Sequence, residues 1–146
     1  PSWDEARALE ALAVQRIAFD LPDGNVQGFA HGRSVAVSPI AALPAKTLFH
    51  ELGHILLGHT TEPGTDQPDL PRSLVEAEAE AVALLCLEAL ELPGADYARG
   101  YIQSWYGSGQ PLPDGSAARI FKAADTILRA GREDATAVAV PERQAA

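Results

Sequence analysis

Methionine is missing from this 146-residue chain and cysteine occurs once. The lone Cys86 cannot close an internal disulfide, so the fold must stand on its core, as suits a reducing cytoplasm. No apolar run approaches the ~20 residues that cross a bilayer, and no basic, apolar, small-residue leader pattern is present, so no membrane role is expected. Positive charge is also scarce. Eleven Lys and Arg face 20 Asp and Glu, for a net charge of −9. Such a chain repels phosphate backbones, which makes nucleic acid a poor partner for it. Arg119, Lys122, Arg129 and Arg132 therefore read as a solvated face. The missing methionine and the opening Pro1 suggest a chain that is processed or cut from something longer, with room for a domain before it.

What is present is apolar: 47% of residues, enough for one domain with its own core. Ser2 and Glu5 read as a capping box, with Leu9, Leu12, Ala13 and Ile17 at helical spacing after it. A turn follows at 21–25. Two short, partly alternating runs, 26–30 and 34–38, form an expected β-hairpin. Pro44 sits near the start of a helix that runs to about Gly58, and residues 60–71 read as a loop. Ser73, with Glu76 three positions on, caps a helix that reaches about Leu92. A shorter helix spans 96–106 and a loop spans 107–115. Ser116 caps a last amphipathic helix that stops at Gly131. The expected class is α+β, mostly helical with one small antiparallel sheet, as a single domain over residues 1–131 with a flexible tail over 132–146.

The run KTLFHELGHILLGH, residues 46–59, concentrates polar groups in an otherwise apolar helix. His50, Glu51 and His54 spell H-E-x-x-H. At about 100° per residue, positions four apart lie on one helical face, so two imidazoles can share one ion from a rigid support. Glu51, beside the first of them, can reach an activated water rather than the metal, as a general base does in a zinc hydrolase. A third protein ligand is required. His59 is a weak candidate: the pattern H-E-x-x-H-x-x-G-x-x-H fails at Leu57 and Thr60. In a continuing helix His59 also points about 140° from His54, so it reads as an incidental helix-end histidine. The stretch VEAEAEAVALLC, 75–86, offers better candidates, because carboxylates in so apolar a helix need a partner or a metal. Glu76 and Glu80 share a face. Glu76 is assigned as third ligand and Glu80 as acceptor from a zinc-bound histidine. Glu78, on the other side, reads as solvent-facing and stands as the alternative ligand.

HELGH followed by EAEAEAVA at 76–83 resembles the zincin-like metallopeptidases around the ImmA/IrrE group, and above all the C-terminal domain of ArdC-type antirestriction proteins. GFAHGRSVAVSP (28–39), YIQSWYG (101–107) and SAARIFKAADTIL (116–128) extend the resemblance over roughly residues 10 to 130. It implies a zincin-like fold whose small antiparallel sheet packs on the H-E-x-x-H helix. The implied site is gluzincin-like: one Zn²⁺ on His50, His54 and Glu76, with Glu51 as base. Glu80 stands where ImmA/IrrE relatives often carry Asn or Asp. The expected activity is peptide-bond hydrolysis by metal-activated water, on a protein or peptide substrate in the cytoplasm. Tyr97, Tyr101 and His31 are candidates for a second oxyanion donor. The alternative is a metal-stabilised regulatory or antirestriction-type binding module with little general protease activity. ArdC-type proteins carry a separate domain for single-stranded DNA, which this sequence does not contain.

Overall fold

The computed structural model describes residues 2–20, 26–60, 71–106 and 113–132, with the backbone alone for 101–106 and Asp114. The expected turn at 21–25, most of the loops at 60–71 and 107–115, and the tail after Arg132 lie outside the described residues. Those residues form five helices and three short strands. In chain order they are α1 (Glu5–Leu12), β1 (Gln15–Arg16), β2 (Gly28–His31), β3 (Ser34–Val37), α2 (Pro44–Leu56), α3 (Arg72–Ala89), α4 (Ala95–Tyr106) and α5 (Asp114–Gly131). The architecture is α+β and mostly helical.

The sheet is mixed rather than antiparallel. β2 and β3 pair as the expected hairpin, in register from Gly28 opposite Val37 to His31 opposite Ser34. β1 adds a parallel edge, with Gln15 opposite Ser34, giving the order β1-β3-β2. At two residues β1 is too short for any alternation to show. It exists because α1 ends early. Asp4, not Ser2, caps α1 by accepting a hydrogen bond from the Arg7 N–H. Ala13 takes a left-handed conformation (φ 56°), and the Val14 N–H returns to the Leu9 carbonyl. A non-glycine residue there costs roughly 1 kcal/mol. The turn buries Val14 and delivers the Gln15 N–H to the Arg33 carbonyl and the Ile17 N–H to the Val35 carbonyl.

α3 is the central element, packed against α2, α4 and α5. That explains its composition: a helix covered on several sides loses its polar face and fills with Ala, Val and Leu. Its Cys86, Leu87 and Val82 meet Leu52, Phe49 and Ile127 in one core. β2 and β3 pack on α2. Gly28 is the point of closest approach. A Cβ there would lie 2.6 Å from Thr47 Cγ2 and 2.7 Å from the Ala36 carbonyl oxygen, with Glu51 Cγ at 3.6 Å. Gly53 plays the same part between α2 and α3, where a Cβ would stand 3.2 Å from both the Ala79 carbonyl oxygen and Val82 Cβ. These two glycines set the H-E-x-x-H helix tight against both its neighbours.

Burial pushes the Cys86 thiol up to about 12. The native chain therefore keeps its thiol proton where an unfolded chain, ionising near 9, releases it. Releasing that proton favours the unfolded state, so stability falls as pH rises from about 9 towards 12. Cys86→Ala should remove up to about 1.4 kcal/mol per pH unit of that decline, measured by urea denaturation across pH 9–11. The native thiol should also resist an aromatic disulfide reagent until denaturant is added.

Candidate metal centre

Three elements build the centre. α2 supplies His50, Glu51 and His54 from consecutive turns, and α3 supplies Glu76, Glu78 and Glu80. The turn after α2 supplies His59. The first three side chains each offer a ligand atom, all within 4.8 Å of one another. The Nε2 atoms of His50 and His54 are 3.1 Å apart. Glu76 spans both, with Oε1 3.4 Å from His50 Nε2 and Oε2 3.2 Å from His54 Nε2. A tetrahedral ion with bonds of roughly 2.0–2.1 Å separates its ligands by about 3.3 Å. The observed edges match that separation. Two facing Nε2 atoms at 3.1 Å otherwise need a proton on one of them.

The electrostatics favour a cation at this point. Burial works against charge on His50, but Glu76 and Glu80 outweigh it and hold its pKa at about 9. Burial also works against the Glu76 carboxylate, and the two imidazoles outweigh it, so Glu76 titrates well below the usual carboxylate range. Glu51 is different. It is 8% exposed, and burial raises its pKa despite the nearby His50 and His54. A carboxylate with a raised pKa readily accepts a proton.

Comparisons with family models, curated proteins and solved structures returned no match. The reading of this centre therefore rests on its geometry and on the sequence pattern that builds it.

Glu80 lies behind His50, almost fully buried. Its Oε2 is 3.3 Å from His50 Nδ1 and its Oε1 is 3.1 Å from Lys46 Nζ. Both contacts are within ion-pair range, yet His50 Nδ1 and Glu80 Oε1 miss hydrogen-bond geometry. A small turn of the imidazole brings Nδ1–H onto the carboxylate.

Two expectations about the centre's own groups need correction. Glu78 does not face solvent; it is wholly buried against α5. Its Oε2 accepts from Ser116 Oγ and from the Arg119 guanidinium, and its Oε1 lies 3.0 Å from His59 Nε2. Ser116 is accordingly no helix cap: Pro113 holds the cap position, and Ser116 points from the first turn into the core. Ser73 does not cap α3 either, since Pro71 stands there. The second correction is His59, which is no bystander. α2 ends at Leu56, and Gly58 turns left-handed (φ 82°). The His59 N–H then returns to the His54 carbonyl at 2.8 Å and the Gly58 N–H to Ile55 at 3.1 Å. This Schellman turn folds His59 back under His54, with the two Nδ1 atoms 2.9 Å apart.

The centre opens into a cleft of about 370 Å³, floored by His50, Glu51, His54 and Glu76 and walled by Gly28, Phe29 and Ala30 of β2. A second hollow of about 390 Å³ lies between Trp3, Phe49, Leu90 and Leu92. It holds no imidazole and shares no residue with the cleft. His31 sits at the exposed end of β2 and is not among the cleft walls, and Tyr97 is 70% exposed on α4. The Tyr101 side chain lies outside the described residues.

Proposed function

We propose that this domain is a zinc-dependent peptidase with a gluzincin-like ligand set, His50, His54 and Glu76, and Glu51 as its general base. The observation that carries the reading is the convergence of two imidazole nitrogens and one carboxylate within 3.1–3.4 Å, at the floor of a cleft with a buried glutamate beside it. Two histidines and one carboxylate form a donor set that suits zinc and leaves a fourth position open. When bound, zinc supplies Lewis acidity, polarising a substrate carbonyl and bringing water into ionisation range near neutral pH.

The chain's own groups do the rest. Glu51 takes the proton from the attacking water and later delivers it to the leaving amine. Its burial, which raises its pKa, favours holding that proton between the two steps. Glu80 and Lys46 steady His50 from behind. β2, which walls the cleft, is at the edge of the three-stranded sheet among the described residues, and an open strand edge is where an extended peptide pairs.

Elemental analysis gives the direct test. Wild type should hold about one zinc per chain, and Glu76→Ala at least ~10-fold less under the same dialysis, since losing a ligand costs more than losing a group behind one. Casein should be cleaved by the loaded protein and spared once a chelator is added. Bound zinc with no cleavage of casein or of candidate repressors would favour a metal-stabilised binding module instead.

A further inference from the structure

The geometry points to His59 and Glu78 as a positioning relay for His54, and so for the ion held there. This inference rests on the metal reading above and extends it to residues outside the ligand set.

If His54 binds the ion through Nε2, that nitrogen carries no hydrogen, and the neutral ring must carry its hydrogen on Nδ1. The partner of His54 Nδ1 is His59 Nδ1, at 2.9 Å. That atom must then be bare and accept, which places the His59 hydrogen on Nε2. His59 Nε2 in turn lies 3.0 Å from Glu78 Oε1, a carboxylate oxygen that only accepts. Every donor meets an acceptor, and only one direction is possible: His54 donates to His59, and His59 donates to Glu78. Glu78 is anchored at its other oxygen by Ser116 and Arg119 of α5. The His59 side chain is 6% exposed and that of Glu78 is wholly buried, so little water reaches the link between them.

The two ligand histidines are thus held differently. His50 has a carboxylate directly behind it, Glu80. His54 has a second imidazole between itself and its carboxylate. The relay ties the orientation of His54 to α5, an element with no ligand of its own. It also accounts for the buried Glu78 and for the Schellman turn that returns His59 to the centre.

The test compares zinc affinity, by competition with a chromophoric chelator, across wild type, His59→Ala and His59→Asn. Losing a group behind a metal ligand typically weakens binding by about 10- to 100-fold, and His59→Ala should fall in that range. Asn offers its Oδ1 close to where imidazole presents Nδ1, so His59→Asn should recover to within about 3-fold of wild type. Ala binding as tightly as wild type, or Asn binding no better than Ala, overturns the relay. Metal-free circular dichroism and melting temperature separate either change from loss of fold. Should His59→Ala not fold, wild type alone decides by the nitrogen-15 spectra of its imidazoles when zinc-loaded. His59 protonated on Nε2 and bare on Nδ1 is the expected tautomer; a proton on His59 Nδ1 reverses the chain and sinks the inference. Wild type that takes up no zinc would overturn the metal reading itself, which a failed relay on a zinc-binding protein would leave standing.

Discussion

Glu51→Gln protein is expected to keep its zinc and lose peptide hydrolysis by about 10²- to 10⁴-fold, the usual worth of a positioned general base. The substitution is nearly isosteric, which matters because Glu51 is 8% exposed and packed near Gly28. Its oxygen is not needed for the ion in the proposed ligand set, where His50, His54 and Glu76 are the three ligands. Glutamine offers no site for a proton at neutral pH. The loss should therefore fall on turnover and on kcat/KM alike, with little change in KM. Equal zinc content in the two proteins, by elemental analysis, makes the comparison clean. Wild-type turnover in Glu51→Gln would remove the base and with it the proposed mechanism.

Much of this centre is legible in the sequence. The spacing of His50 and His54 by four residues fixes them on one helical face, and helix α2 delivers both Nε2 atoms to one point. The same rule pairs Glu76 with Glu80 and puts Glu78 on the opposite side. What the helical period does not say is what covers that opposite side. α5 packs there, so the carboxylate expected in water is buried against Ser116 and Arg119. Arg119, read as part of a solvated face, is the partner that makes that burial tolerable. His59 was misread for a related reason. A continuing helix would turn it about 140° from His54, whereas α2 stops at Leu56 and Gly58 reverses the chain. The signal was present: a glycine just past the last apolar residue of a helix marks a left-handed cap. α1 shows where such signals run out, since the left-handed residue that ends it is Ala13 and carries no mark in the sequence.

Arg119→Leu should destabilise the metal-free protein by about 3 kcal/mol. The change leaves the Glu78 carboxylate buried with only Ser116 and His59 as partners. The lower end of the range for a broken buried pair applies because the Arg119 side chain is 38% exposed and never fully desolvated. Glu78→Leu should cost a comparable amount by a different route, leaving His59 Nε2–H without an acceptor beside a half-exposed guanidinium. In the double variant Glu78→Leu/Arg119→Leu two apolar side chains face each other, and replacing a buried ion pair by well-packed apolar groups is often neutral. The double variant should therefore cost less than either single alone, falling short of their sum by about 3 kcal/mol or more, the upper end of the coupling expected of groups in direct contact. Urea denaturation of the four metal-free proteins measures it, since bound metal would add its own stabilisation; additive costs would show that the pair does not act as a unit. The decisive variant is the double one after zinc is returned. If it matches wild type in stability yet binds zinc more weakly, the ion pair between α3 and α5 is maintained for the orientation of His54 rather than for the fold, because an apolar contact would have served the fold as well.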